Sequence, residues 1–212
     1  MATAAFIFVA YLIGSLSFAV IVSRTFGLPD PHTYGSRNPG ASNVLRTGRK
    51  LPALLTVVGD AGKGWAAVFL AQRYAGGYGV DAAGVAACAV AAFLGHLFPV
   101  FFRFKGGKGV ATAGGILFAI HTSLGLATLA TWVTVAFFFR YASLASLVAA
   151  AFAPLFLLFM LLLGFQLQYM LPATILMGAL IVWRHKSNII NLCAGKERRI
   201  GERREIGGAG AP

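Results

Sequence analysis

Val110-Ala111-Thr112-Ala113-Gly114-Gly115-Ile116-Leu117-Phe118-Ala119-Ile120-His121-Thr122-Ser123-Leu124-Gly125 opens an apolar run that continues to Phe139, with Arg140 just beyond. A helix needs about 20 mostly apolar residues to cross a bilayer core. The run is long for one upright span and short for two. It reads either as one long kinked span or as two short spans, 110–124 and 125–139, joined near His121-Thr122-Ser123. The choice decides the fold, because one crossing more or less moves every later segment to the other side of the membrane.

The rest of the chain is a membrane sequence. It is 58% hydrophobic and 11% charged, with mean hydropathy +0.77, whereas soluble domains carry about 25% charged residues. The apolar runs predict an all-α, polytopic protein of about seven transmembrane helices, at 3–22, 51–71, 83–102, 110–124, 125–139, 144–163 and 168–184. One integral membrane domain over 1–201 is expected, followed by a tail at 202–212 that is basic, then Gly-rich, and expected to be disordered. Cys88 lies in an apolar run and Cys193 in the basic tail, so no disulfide framework is indicated. No basic residue precedes the first run and Arg24 follows it. A cleaved signal peptide starts positive and ends at a small-residue site, so residues 3–22 are read as a retained span with its N-terminus outside.

Positive charge tests this topology. With seven spans and the N-terminus outside, the inner segments carry Arg24, Arg37, Arg46, Arg49, Lys50, Arg103, Lys105, Lys108, Arg140, Arg184, Lys186, Lys196, Arg198, Arg199, Arg203 and Arg204. The outer segments keep Arg73. Merging 110–139 into one span puts the tail outside and reverses the sign of the last loops. Charge therefore favours seven spans, with a cytoplasmic C-terminus. The net charge of +12 does not call for nucleic acid: the basic residues flank spans and lack the interleaved aromatics that stack bases. Anionic lipid headgroups suit them.

Three polar clusters then face the cytoplasm together. The first, Gly35-Ser36-Arg37-Asn38-Pro39-Gly40-Ala41-Ser42-Asn43-Val44-Leu45-Arg46, is dense in hydroxyls and amides. Such groups can ring a phosphate, and Arg46 offers a two-pronged donor; the same residues also suit a polar turn with a helix cap. The second, Lys105-Gly106-Gly107-Lys108-Gly109, leads into Thr112. Glycines let the backbone approach an anion, and the helix that follows points its first N–H groups at one; a flexible basic turn is the alternative. The G-x-x-x-x-G-K-[ST] spacing of a nucleotide loop is absent. The third is Arg184-His185-Lys186-Ser187-Asn188-Ile189, where His185 and Asn188 share a helix face at i, i+3.

Other polar residues read as supporting. Asp60 and Lys63, also i, i+3, lie in an apolar run, where ionisable groups pair or mark a site; a structural ion pair that orients a loop is favoured. His96 near Pro99 reads as a packing or supporting residue, and Arg140, Ser143 and Ser146 form a small polar stretch. Glu197 stands amid basic residues and can pair locally. The acids are only Asp30, Asp60, Asp81, Glu197, Glu202 and Glu205. No D-x-x-D pair exists to hold Mg²⁺ on a diphosphate, and no His/Cys set has zinc spacing. The H-x-x-x-x-D pattern of coenzyme-A-dependent glycerolipid acyltransferases and the G-x-S-x-G elbow are also missing. No metal and no cofactor is expected.

With these clusters in this order at these span ends, the chain resembles the acyl-phosphate-dependent glycerol-3-phosphate acyltransferase family of bacterial inner membranes. The resemblance rests on Ser36, Asn38, Gly40, Asn43 and Arg46, on Asp60-x-x-Lys63-Gly64, on Gly95-His96, on Phe104–Thr112, and on His185-x-x-Asn188-Ile189 with Gly195-x-Glu197. It covers the chain to about residue 201. It implies a seven-span, N-out enzyme that joins the acyl group of acyl-phosphate to glycerol 3-phosphate, giving lysophosphatidic acid and inorganic phosphate. On that resemblance Ser36, Arg46, His185 and Asn188 are expected to be catalytic. Asn38, Gly40, Asn43, Lys105, Gly106, Gly107, Lys108, Gly109, Thr112 and Ser143 are expected to bind substrate. Asp60, Lys63, His96, Arg140, Ser146 and Glu197 are expected to support them. The expected partners are acyl-phosphate, glycerol 3-phosphate and membrane lipids, with the site facing the cytoplasm.

The residue types suit that chemistry. Acyl-phosphate is a mixed anhydride, already activated, so no serine or cysteine acyl intermediate is needed. Negative charge must be stabilised on two phosphates and a developing oxyanion, by lysine, arginine and N–H groups rather than carboxylates. The general base stays open between His185, whose ordinary pKa is about 6.5, and a substrate phosphate, whose second pKa is about 6. A transporter of small organic phosphates would use the same clusters, but it needs polar groups at mid-membrane and often repeated halves.

Overall fold

The computed structural model describes residues 1–202, so the expected disordered tail lies, except for Glu202, outside the described residues. Its α-helices are α1 (Ala2–Gly14), α2 (Phe18–Thr25), α3 (Ala41–Val44), α4 (Lys50–Tyr74), α5 (Ala82–Leu97), α6 (Val110–Ile120), α7 (Thr122–Phe139), α8 (Ala142–Leu162), α9 (Met170–Arg184) and α10 (Lys186–Cys193). No strand occurs among the described residues. The helices α4, α5, α7 and α8 are long and apolar enough to cross a bilayer, and α1 and α2, bent by 41° at their junction, are so when taken together. At 11 and 15 residues, α6 and α9 are apolar helices shorter than the roughly 20 residues of an upright span.

Each expected span has a helical counterpart, but the first, fourth and fifth differ from expectation. The first breaks at Ser15–Ser17 instead of running through to residue 22. Ser15 Oγ folds back onto the Tyr11 carbonyl at 2.8 Å, and the Leu16 carbonyl receives the Lys63 ammonium from α4. A helix break inside lipid has no water to satisfy its backbone, so protein groups must do it. The fourth ends at Ile120, and α7 starts at Thr122 rather than 125. His121 is extended (φ −161°, ψ 130°) and its Nδ1 accepts the Ser123 N–H at 3.2 Å, capping α7.

The two halves of 110–139 fold back on each other. A Cβ added to Gly125 would lie 2.7 Å from the Phe118 Cα. In one continuous helix, residues seven apart are separated by about 10 Å along the axis. The stretch is therefore a helical hairpin hinged at His121, not a kinked rod.

Small residues set the bundle's packing. A Cβ at Gly115 would meet the Ala61 carbonyl oxygen at 1.8 Å, and one at Gly64 the Thr112 carbonyl at 2.4 Å, so α4 and α6 touch backbone to backbone. Gly14 against Ala92 and Gly95 against Tyr11 bring α1 and α5 equally close. Lipid supplies no hydrophobic drive between helices, so such close van der Waals contact carries the association. Phe93, Leu97, Ile116, Leu124 and Leu157 fill the interior, while Leu54, Phe69, Phe137, Phe138 and Leu155 stay exposed, as a lipid-facing surface requires.

The bundle has two unlike ends. At one, Thr3 approaches Gly84 and the Phe6 and Tyr78 rings lie 5.8 Å apart, joining the starts of α1 and α5 to the turn after α4. The ends of α5, α7 and α9 and the starts of α6 and α8 gather at the other, with the polar loops.

Candidate active site

Asn43 organises the first loop. From α3 its Oδ1 accepts the Ser36 N–H at 3.0 Å, and its Nδ2 donates to the Pro31 and Tyr34 carbonyls at 2.8 and 3.1 Å. It is buried, with its amide committed to the loop, so it braces the turn that presents Ser36. Gly35 has φ +59°, and a Cβ there would strike Asn43 Oδ1 at 2.3 Å and the Arg46 stem at 2.9 Å. Arg46 therefore lies across the same turn. Ser36 and Arg46 are exposed, and Asn38 and Gly40 are half-buried.

The lysine–glycine loop folds into the protein body. After α5 the chain turns through Arg103 and Phe104, both with positive φ, and returns so that the Gly107 N–H donates to the His96 carbonyl at 3.2 Å. A Cβ at Gly106 would sit 2.1 Å from that carbonyl oxygen, and one at Gly109 2.3 Å from the Phe93 ring. Arg184 holds the loop from α9: Nη2 donates to the Gly106 carbonyl at 2.6 Å and Nε to the Gly107 carbonyl at 3.1 Å. His32 Nε2 meets the Lys105 carbonyl at 2.9 Å. Three successive carbonyls are thus drawn away by the His32 and Arg184 side chains. The amides of Lys108 and Gly109 take no protein acceptor among the described residues. That polarity suits an anion.

From Lys108 a hydrogen-bonded chain runs across three elements. Its ammonium donates to Asn188 Oδ1 at 2.5 Å; Asn188 Nδ2 donates to Glu197 Oε1 at 2.7 Å; Ser143 Oγ donates to the same oxygen at 2.5 Å. Burial pushes the Lys108 ammonium below its ordinary value, opposed by the Glu197 charge and helped by Arg184 and Arg46. His185 is buried, and its Nδ1–H donates to the Ile181 carbonyl at 2.8 Å, which leaves the lone pair on Nε2. Burial pushes its pKa down to about 4, with the Ile181 bond opposing.

The supporting residues act at a distance from the cleft. Lys63 Nζ pairs with Asp60 at 2.8 Å, hydrogen-bonds His96 Nδ1 at 2.9 Å, and caps the Leu16 carbonyl. The far edge of the His96 ring abuts Gly107, where an added Cβ would lie 2.3 Å from Nε2. The cluster thus props both the α1–α2 break and the glycine loop. Arg140 clamps the tail in both directions: its carbonyl accepts the Ile200 N–H at 2.6 Å and its Nη2 donates to the Ile200 carbonyl at 2.9 Å. That clamp positions Glu197. Ser146 donates to the Ala142 carbonyl at 2.7 Å and accepts the Trp132 indole N–H at 3.1 Å, tying α7 to α8.

Lys105, Gly106, Gly107, Lys108, Gly109, Asn188, Glu197 and Ser143 therefore meet in one region, and the Pro39 carbonyl brings the first loop against Gly107. Thr112 does not open to it; its hydroxyl is buried without a hydrogen-bond partner among the described residues, and its methyl packs on Gly64. A cleft of about 450 Å³ opens at this end, lined by His32, Arg37, Pro39, Phe104, Lys105, Gly106 and Arg184. His32, Arg37 and Arg184 were not among the expected site residues. His32 and Arg184 reach the site by holding backbone carbonyls, which leaves no mark in residue spacing.

The family model for glycerol-3-phosphate acyltransferase matches residues 4–195. A glycerol-3-phosphate acyltransferase of Cupriavidus pinatubonensis is 59% identical over 206 residues, covering 97% of this chain and all of that one. One from Burkholderia pseudomallei is 60% identical over 198 residues, covering 93% and 95%. Crystal structures of PlsY, an integral membrane glycerol 3-phosphate acyltransferase, are similar at 37% identity, covering 95% of this chain and 96% of that one. The glycerol 3-phosphate form gives a TM-score of 0.85 and the lysophosphatidic acid form 0.84.

Proposed function

The chain belongs to the glycerol-3-phosphate acyltransferase family, and from that premise we propose that it moves a fatty acyl group from acyl-phosphate to the 1-hydroxyl of sn-glycerol 3-phosphate. The products are 1-acyl-glycerol-3-phosphate (lysophosphatidic acid) and inorganic phosphate, the first step of phospholipid biosynthesis. The observation that carries this reading is the convergence of three phosphate-suited loops on one cleft at one end of an apolar bundle. The protein sits in the bacterial inner membrane with seven crossings, its N-terminus outside, and the cleft and C-terminus in the cytoplasm. The hairpin at His121 and the charge bias support that orientation.

The glycerol 3-phosphate phosphate sits against Lys105 and the glycine loop. Ser36 orients the acceptor hydroxyl, and Arg46 neutralises donor phosphate charge. The 1-oxygen attacks the acyl carbonyl carbon, the bond from that carbon to the phosphate oxygen breaks, and the electron pair leaves with phosphate. Lys108, held by Asn188, and the amides of Lys108 and Gly109 stabilise the oxyanion between these events. Asn43 acts on this chemistry through the loop it braces, and Thr112 through the packing of α6 against Gly64 of α4. Catalysis is by positioning and electrostatics.

The hydroxyl proton goes to a substrate phosphate oxygen. His185, with a pKa pushed down to about 4, is a weaker base than a phosphomonoester, whose second pKa is about 6. The rising limb of turnover against pH then follows the phosphate near 6. His185→Gln leaves that limb in place while lowering its height; a limb that vanishes with the substitution assigns the base to His185.

Purified protein mixed with acyl-phosphate and labelled glycerol 3-phosphate, without coenzyme A or acyl carrier protein, yields labelled lysophosphatidic acid and phosphate one for one. No labelled product overturns the reading, and uptake of label into sealed vesicles without acylation points to a transporter.

A further inference from the structure

One imidazole joins two loops that lie far apart in the sequence. His32 stands between Asp30 Oδ1, 2.7 Å from its Nδ1, and the Lys105 carbonyl oxygen, 2.9 Å from its Nε2. Both neighbours are acceptors. The Asp30 oxygen also takes the His32 backbone N–H at 2.9 Å, and a peptide carbonyl has no proton to give. A neutral imidazole carries one N–H and one lone pair, so it would face one of these oxygens lone pair to lone pair. The imidazolium satisfies both.

We infer that His32 is held as an imidazolium between Asp30 and the Lys105 carbonyl, and that it is a positioning residue for the acceptor phosphate. Identifying the anion as that of glycerol 3-phosphate rests on the acyltransferase reading above. The latch fixes the Lys105 backbone, and so where its ammonium starts, at the wall of the cleft. It also adds a charge beside the anion without spending that charge on direct contact.

The groups around the ring define the electrostatics. Asp30 faces it from its own turn, and Tyr34 lies on the same loop within reach of the Asp30 charge. Arg24, at the end of α2, acts on Asp30. Arg37, Lys105 and Arg184 share the cleft wall with the ring. Burial raises the Asp30 carboxyl, but the bonds from His32 outweigh it and hold Asp30 below its ordinary value. The three cleft cations oppose a further positive charge, and a bound phosphate dianion reverses that sign. Proton binding at His32 and anion binding in the cleft therefore strengthen each other. As pH rises and the ring loses a proton, one of its two bonds is lost and anion binding weakens.

The test measures glycerol 3-phosphate binding by calorimetry on the full-length protein in detergent, without acyl donor, from pH 6.5 to 9. Wild type, His32→Arg and Asp30→Asn are compared. Arginine keeps a permanent charge and a two-pronged donor. The wild-type dissociation constant, divided by that of His32→Arg to cancel the titration of the ligand, is expected to rise about three- to tenfold across this range. Asp30→Asn shifts the rise to lower pH. In parallel, ¹⁵N spectra of the wild type at pH 6.5 show both His32 ring nitrogens protonated, and Lys105→Ala, which keeps the carbonyl, leaves that signature in place. A flat ratio, or a lone pair on either nitrogen at pH 6.5, overturns the latch and leaves the acyltransferase reading standing. Absence of glycerol 3-phosphate binding by the wild type at every pH overturns that reading, while the spectra still judge the state of His32.

Discussion

Lys63 and Lys108 are two withdrawn ammonium groups with opposite uses. Lys63 spends its three donors inside the protein, on Asp60, on His96 Nδ1 and on the Leu16 carbonyl, and its side chain is 2% exposed. Lys108 makes one hydrogen bond among the described residues, to Asn188, and stands beside amides that have no protein acceptor. A cation whose donors are all used is part of the frame. A cation held by one donor, with the others left over, is part of a site. Removing the first should cost stability, and removing the second should cost activity.

The largest effect is expected from Asp60→Ala, which leaves a buried ammonium without its counter-charge and destabilises by about 3–5 kcal/mol. Thermal denaturation in detergent measures it. The double change Asp60→Asn with Lys63→Met removes both charges and should recover much of that loss; a double variant no more stable than the single would show that the pair is not a unit. Next comes Lys108→Met, expected to fold normally and lose about a hundredfold in kcat/KM, the scale of one oxyanion donor. A drop in melting temperature matching that of Asp60→Ala would erase the contrast between the two lysines. Glu197→Gln keeps an acceptor for Ser143 and Asn188 but not its charge, and about a tenfold loss of kcat is expected in the acyl-transfer assay. Arg140→Ala should cost least, about three- to fivefold in kcat, through the loosened tail. A loss as large as that of Lys108→Met would mean that Arg140 touches substrate.

The long apolar runs made α4, α5 and α8 legible, and the placement of lysines and glycines marked the second loop as a site. Three features were not legible. The break at Ser15–Ser17 hides because serine can return its hydroxyl to the helix backbone, so two serines do not by themselves interrupt an apolar run; the lysine that stabilises the break sits forty-odd residues away on α4. The early end of α6 at Ile120 is set by the extended backbone of His121, whose ring nitrogen caps α7 instead, a choice of conformation that residue type alone does not fix. Asn43 and Thr112 have the right chemistry for binding substrate, but one spends its amide on its own loop and the other packs against Gly64. Residue type and position told which groups could meet a phosphate, not which were already occupied.

The Lys63–Leu16 contact also constrains how this chain can change. A substitution that let α1 run straight into α2 would return the Leu16 carbonyl to its own helix and strand a donor of Lys63 in the protein interior. One that removed Lys63 would leave an open helix end without water. Neither repair is tolerable first, so the bent helix and the buried lysine are inherited as a single character: relatives should keep both or lose both, and a chain caught between them should be the rare one.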